Sequence, residues 1–420
     1  MVRRELNKMV LGSVVSSMNR FFGVFAPAVL PAMILAVMTL ASCADSPGVS
    51  DAQAARQRSR SWLEKGEFDL AISEADRAIA LDPRSHEGYG LRAQARRGKR
   101  DLNGALEDAT KTIEMAPASF EAYGIRGDLY LRQEKYDWAY ADFDKAIELS
   151  PGWAYAWVQR GFARLWSRRD VEGAVADTTR GLELDPRNVA AYYTRGLAWQ
   201  TKGDTEASLA DYDRALAIDP KHVPTFINRG NLRLNQKDAR GAAADYDQAI
   251  RLDPQNEEAF YARGQFRSVS GDFEGAIQDY SEFLRLRPRH PVVLYNRGVL
   301  RVQRGEWDSA IEDWTKALEI QPQYREALYN RGLTRGKKGD LEGAAADFSE
   351  AIKVDGTFAL AYEGRGRVRR EQGQPGKAAA DFTKLIELQP QNGLAYSDRG
   401  LNRSDLGDED GAIADYTRAI

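Results

Sequence analysis

The sequence predicts an all-α chain in which one antiparallel helix pair is written many times over. Three observations predict it. A unit of 34 residues recurs through most of the 420 residues. Inside each unit, apolar and small residues fall three and four apart, the spacing of a single helix face. Gly-acid and Pro punctuation cuts every unit into two segments of helical length. The beat is plainest in an Arg-Gly pair that begins at Arg126, Arg160, Arg195, Arg229, Arg263, Arg297, Arg331, Arg365 and Arg399. An Asp follows sixteen residues later (seventeen in one unit), at Asp142, Asp177, Asp211, Asp245, Asp279, Asp313, Asp347, Asp381 and Asp415, with Asp108 one unit earlier.

The first forty residues have a different grammar. Arg3, Arg4, Lys8 and Arg20 precede a nearly uncharged run from Phe21 to Ser42. A basic leader, an apolar stretch and small residues before a cleavage point read as an export signal. The compact form of such a signal would start at Met18. An uncleaved span is the alternative, since twenty-two residues are long enough to cross a bilayer. Either way the positive leader stays inside and the repeats are exported.

Residues 44–51 read as a short polar linker, and the units follow: 52–85, 86–119, 120–153, 154–188, 189–222, 223–256, 257–290, 291–324, 325–358, 359–392 and an incomplete 393–420. Only 154–188 carries an extra residue, in the Ser167–Asp170 turn. In the first helix a large residue stands four before a Gly, as Tyr123 before Gly127 and Phe226 before Gly230. A helical Gly costs about 1 kcal/mol, so its recurrence calls for close approach of another helix. Gly203-Asp204, Gly271-Asp272, Gly305-Glu306, Gly339-Asp340 and Gly407-Asp408 stop the first helix and start the second. The second helix carries sets such as Ala276, Tyr280 and Phe283 on one face, and a Pro ends it in nine units, with Gly356 once in its place. Ile420 falls before the last unit's proline. An apolar end face is costly in a solenoid. Either a partner or second copy covers it, or the chain continues.

Composition excludes several functions. The net charge is -3, with no basic excess to form a nucleic-acid groove. One cysteine, Cys43, allows no internal disulfide, and with only three histidines a metal site is not expected. His86, His222 and His290 fall at unit boundaries and read as surface or corner residues. No G-x-S-x-G, H-E-x-x-H or phosphate loop is present, and almost every residue is repeated, whereas catalysis needs unique ones. No catalytic residue and no cofactor is expected.

Residues 52–420 resemble the tetratricopeptide repeat, whose 34-residue signature places a large residue, Gly, Ala, aromatic, Ala and Pro at these offsets. The first unit departs most, with Ser59 in place of the Gly. The resemblance implies a right-handed superhelix of antiparallel helix pairs, with positions 2, 5, 9, 12 and 13 of each unit looking inward. Leu40-Ala41-Ser42-Cys43 is similar to the lipobox of bacterial lipoproteins. That implies a signal peptide ending at Cys43, which would carry the lipid. Ala44 followed by Asp45 tilts the expected membrane, by the same analogy, from inner to outer.

Two readings of the Arg–Asp register compete. The favoured one is a framework of guanidinium–carboxylate pairs between helices. The other is a basic ladder for an anionic ligand, which the matched Asp count disfavours. For partners, position 5 is the uneven one: Gly90 and Gly124, then Tyr193, Ile227, Tyr261, Tyr295 and Tyr329, then Glu363 and Ser397. Asn228, Asn296 and Asn330 lie one residue on, with amides suited to the backbone of an extended peptide. Peptide binding by this stripe competes with plain packing between helices. No unit has Lys at position 5 and Asn231 is the lone Asn at position 9, so a chaperone carboxylate clamp is not supported. The expected function is an envelope-anchored, non-enzymatic adaptor for protein or peptide partners. The alternatives are a self-associating component of a secretion or assembly machine, and a specificity subunit of a peptidoglycan hydrolase or protease.

Overall fold

The computed structural model describes residues 47–420 apart from 168 and 169, with side chains from residue 51 onward. The expected signal segment and Cys43 lie outside the described residues. Twenty-two helices are described, and no strand occurs among the described residues. They run α1 (Pro47–Glu64), α2 (Phe68–Leu81), α3 (His86–Gly98), α4 (Leu102–Met115), α5 (Phe120–Arg132), α6 (Tyr136–Leu149), α7 (Ala154–Ser167), α8 (Val171–Leu184), α9 (Val189–Lys202), α10 (Thr205–Ile218) and α11 (Val223–Asn235). They continue α12 (Ala239–Leu252), α13 (Glu257–Val269), α14 (Phe273–Leu286), α15 (Pro291–Gln303), α16 (Trp307–Ile320), α17 (Arg325–Lys337), α18 (Leu341–Val354), α19 (Ala359–Glu371), α20 (Pro375–Leu388), α21 (Gly393–Asp405) and α22 (Glu409–Ala419). Odd helices are the first of each pair and even helices the second. None of them is long and apolar enough to cross a membrane.

From the second unit on, the first helix opens at the residue expected to open the unit. α1 is the exception. It starts at Pro47, so the stretch expected as a linker is helical from residue 47. Nothing in Gly48–Gln53 breaks a helix firmly, and Pro is tolerated in a first turn.

The turns follow their chemistry. Gly203 is left-handed, φ 89°, and closes α9. Asp204 then caps α10 by accepting the Ala207 N–H at 3.1 Å. Arg100, Glu134 and Lys237 stand at the same turn position in other units and are forced to φ 65°, 58° and 67°. At the far end, Gln321 (φ -131°, ψ 85°) leaves the helical region, as suits a residue before Pro322.

The core explains the helical glycines. Position 8 of the first helix faces position 24 of the second, and their sizes are matched. A Cβ on Gly196 would lie 2.5 Å from the Tyr212 ring, one on Gly298 2.6 Å from Trp314, and one on Gly366 3.0 Å from Phe382. Tyr212, Trp314 and Phe382 are all fully buried. Where position 8 is larger, position 24 is small: Ala93 faces its unit's Ala109, and Ser59 its unit's Ala75. Ser59 is fully buried and satisfies its hydroxyl on the Ala71 carbonyl at 2.8 Å. The divergent first unit is thus compensated internally.

The chain divides into two compact units, ending and beginning at residues 248 and 249. Phe143, Tyr212 and Tyr246 are the largest fully buried rings of the first, Trp314, Phe348 and Phe382 those of the second.

Candidate functional site

Each helix pair is framed by the arginine at position 7. Arg297 grips Asp313 with both arms, Nε donating to Oδ2 at 3.0 Å and Nη2 to Oδ1 at 2.6 Å. Its third nitrogen, Nη1, donates back to Ser281 Oγ of the preceding pair at 2.9 Å. Asp313 is 1% exposed. The same fork joins Arg92 to Asp108, Arg126 to Asp142, Arg160 to Asp177, Arg195 to Asp211, Arg229 to Asp245, Arg263 to Asp279, Arg331 to Asp347, Arg365 to Asp381 and Arg399 to Asp415. In the first unit Arg58 pairs with Glu74 at 3.0 Å. Hydrogen bonding to Asp211 outweighs burial and binds the Arg195 proton more firmly than usual. The framework reading is the one observed. These guanidiniums are spent inside the protein.

A second arginine belongs to the frame and escaped the sequence reading. Arg301 Nη1 donates to Asp313 Oδ2 at 2.7 Å and to the Ser309 carbonyl at 3.1 Å. Arg96, Arg233, Arg267, Arg335, Arg369 and Arg403 repeat the bond to the aspartate. The signal was present: these residues stand four after the first arginine, one turn along the same face.

The expected peptide-binding residues divide into two groups. Tyr193 and Asn228 are 3% and 4% exposed, and Asn228 Nδ2 donates to Tyr193 Oη at 2.9 Å. The pair is packing between successive first helices, and neither presents surface to a peptide. That expectation is corrected: the residues lie 35 apart, so spacing within one unit did not reveal their contact. Asn330 and Tyr295 repeat the bond at 3.0 Å but stay partly exposed. Tyr261 and Tyr329 are partly exposed too, as is Asn296. Tyr261 Oη accepts from Gln265 Nε2 at 3.0 Å. Burial raises the phenol pKa of Tyr261, Tyr295 and Tyr329, so all three keep their protons at neutral pH.

Position 34 supports these rings. Tyr324 packs at a tilt against Tyr295 with centroids 5.0 Å apart, and Phe358 meets Tyr329 edge-on at 5.3 Å. His222 and His290 occupy the same position and are half-buried corner residues packed against rings. His222 packs edge-on against Tyr193 at 5.4 Å, and burial pushes its pKa down to about 4. His290 packs against Phe283 at 5.0 Å and accepts the Val293 N–H through Nδ1. In the third unit Trp153 lies over Gly124, where a Cβ would be 2.4 Å from the indole. The glycine at position 5 therefore makes room for a ring supplied by position 34.

Successive first helices of residues 291–405 lie side by side, joined by Asn330–Tyr295, Arg367–Asp398 and Arg370–Asp405. Their shared face carries Tyr295 and Tyr329 together with exposed aliphatics, Leu333 at 38%, Leu360 at 46% and Leu394 at 71%. Among the described residues no group of three or more His, Cys, Asp or Glu could hold a metal ion.

Tetratricopeptide-repeat models match residues 120–153, 164–223, 227–291, 326–358 and 363–420, and a model described as TPR repeat matches 298–339. The chain is a tetratricopeptide-repeat protein. No curated protein matches it. Among solved structures it is similar to the crystal structure of MamA, with 28% identity over 37% of this chain and 91% of that one, TM-score 0.37. YrrB, titled a TPR protein with an unusual peptide-binding site, aligns at 25% identity over 45% of this chain and 97% of its own, TM-score 0.37. A tetratricopeptide-repeat protein from Parabacteroides merdae ATCC 43184 aligns at 22% over 55% and 91%, TM-score 0.42.

Proposed function

We propose that this chain is a non-enzymatic scaffold that binds an extended protein segment on its first-helix face, through Tyr261, Tyr295, Asn296, Tyr329 and Asn330. One observation carries the reading. Large apolar side chains that a folded chain ordinarily buries are left exposed on three successive first helices, at Leu333, Leu360 and Leu394, on the helix face that carries the tyrosines. Tyrosine adds rigid contact area and a hydroxyl at little entropic cost. The test is a crosslinking pull-down with the full chain as bait, compared with the Tyr295→Ala/Tyr329→Ala variant. A partner captured by the parent should be lost from the variant, by about 2 kcal/mol or thirtyfold in affinity. Capture unchanged by the variant removes the face from the proposal. Recovery of the bait alone favours the second reading, self-association.

The location is proposed from the sequence. Cys43 would anchor the scaffold in a bacterial envelope membrane, the outer more than the inner, with the repeats facing the periplasm. Multiple acyl chains hold a protein stably where a single chain does not. Cys43→Ser should abolish palmitate labelling and release the chain from the membrane fraction. Retention of the variant in that fraction favours the uncleaved span.

A further inference from the structure

The tyrosine face of the second compact unit carries acids that are under-paired. On α17, Glu326, Tyr329 and Leu333 follow one another three and four residues apart, the spacing of one helix face. Leu360, Glu363 and Arg367 do the same on α19, and Leu394 and Asp398 stand one turn apart on α21. Contacts set the three helices in a common register. Tyr329 packs on Phe348 with centroids 5.8 Å apart, and a Cβ on Gly364, the neighbour of Glu363, would lie 2.6 Å from the same ring. Arg367 ties α19 to α21, its Nη2 lying 3.3 Å from Asp398 Oδ2.

Guanidinium and carboxylate stand here in the reverse proportion to the frame. In the frame, Asp381 accepts from both Arg365 and Arg369. On this face Arg367 Nη2 serves both Glu363 Oε1, at 2.8 Å, and Asp398 Oδ2. Arg325 likewise serves two acids, Glu326 and Asp355, each at 2.5 Å. Four carboxylates thus share two guanidiniums. The other charges at the ends of these helices do not restore the balance. Arg370 is matched by Asp405, and Lys337, exposed at the end of α17, is offset in count by Glu371, exposed at the end of α19. Each acid of the face also keeps one oxygen open: Glu326 Oε2, Glu363 Oε2 and Asp398 Oδ1 bond to no described residue. These side chains are 44%, 27% and 29% exposed, so a ligand can reach them.

We propose that the segment held on this face is basic as well as apolar. Its Lys or Arg side chains lie against Glu326, Glu363 and Asp398, and its apolar side chains against Tyr329, Leu333 and Leu360. This rests on the reading of the chain as a scaffold for an extended segment, and adds the charge of that segment. A cation seated here donates to the open oxygens without displacing Arg325 or Arg367. An acidic segment meets like charge on three successive helices, which selects against it.

The probes are fluorescently labelled peptide amides of repeating Leu-Ser-Lys, Leu-Ser-Gln and Leu-Ser-Glu, titrated with the full chain at low salt and read by anisotropy. The lysine peptide should bind about tenfold or more tighter than the glutamine peptide, with the glutamate peptide weakest, and added salt should narrow the differences. Glu363→Gln/Asp398→Asn should cut the lysine-over-glutamine ratio about threefold or more. Glu363→Lys/Asp398→Lys should reverse the order, with the glutamate peptide bound best, an outcome that misfolding does not produce. Tyr295→Ala/Tyr329→Ala should weaken all three peptides by a similar factor and leave their order unchanged. Equal affinity for the lysine and glutamine peptides, or an order indifferent to the charge reversal, overturns the proposal. If the tyrosine variant still weakens those peptides, the scaffold reading stands without it. Repeating Gly-Ser-Lys bound as tightly as Leu-Ser-Lys also overturns it, because charge without the apolar face would then suffice. Binding of none of the probes overturns it as well, and the crosslinking pull-down then decides the scaffold reading by itself. A lysine preference with affinities unchanged by the tyrosine variant would keep the acidic face and remove the tyrosine anchors.

Discussion

Arg297→Leu is expected to lower the stability of the second compact unit by about 3 kcal/mol or more. The substitution leaves Asp313, 1% exposed, with two of its charge-assisted bonds gone. Arg301 still donates to Oδ2, which keeps the loss toward the lower end of what an orphaned buried charge costs. Ser281 Oγ keeps its bond to the Ile277 carbonyl but loses the one from Arg297, so the join to the preceding pair weakens with the pair itself. Arg297→Lys should fall between, because an ammonium replaces a planar fork with a single point of contact. Adding Asp313→Leu to Arg297→Leu should recover part of the loss, since the double variant buries no lone charge. Midpoints of urea unfolding followed by circular dichroism are the proper readout, because long repeat arrays do not unfold in two states. Arg289→Leu, at an exposed site, is the control. Equal and negligible midpoint shifts for Arg297→Leu and Arg289→Leu would sink the framework role.

That frame marks how far the sequence could be read. The period, the helix pairs, the turns and the Arg–Asp register all lie within one unit, so spacing alone places them. The first helices start where the repeat puts them from His86 to Gly393. What went unread lies between units or in size relations. The bond from Asn228 to Tyr193 joins one unit to the one before, and it turns two expected binding residues into core. His222 and His290 stood at boundaries and looked peripheral, yet position 34 packs back against the rings of its own unit. Arg301 was visible four residues after Arg297 but only the geometry shows one carboxylate accepting from both. The binding face shows the same limit. Tyrosines at position 5 were legible as a stripe, while which of them remain exposed depends on what each neighbouring unit brings: a histidine over Tyr193, a tyrosine beside Tyr295, a tryptophan in the space above Gly124.

Gly298 and Trp314 offer the second large effect, and one whose sign should reverse with context. Trp314 is 1% exposed and its Nε1 donates to the Tyr295 carbonyl at 3.2 Å. Trp314→Ala should cost about 3–5 kcal/mol, the price of an indole-sized hole in a packed core. Gly298→Ala in the parent puts a Cβ 2.6 Å from Nε1 of a ring that is packed on every side. The ring must shift, at about 1–3 kcal/mol, which exceeds the helix propensity of about 1 kcal/mol that alanine gains over glycine. With Trp314→Ala already present, nothing opposes the new methyl. Gly298→Ala should then stabilise the protein, by its propensity and by partly filling the hole. The chain already contains this solution, with Ala93 facing its unit's Ala109. A double-mutant cycle on urea midpoints tests it. The same cost for Gly298→Ala in both backgrounds would mean that the glycine answers to something other than the ring. A reversed sign would establish that the Gly at position 8 is conditional on the aromatic at position 24. Repeat variants would then have to exchange the two together.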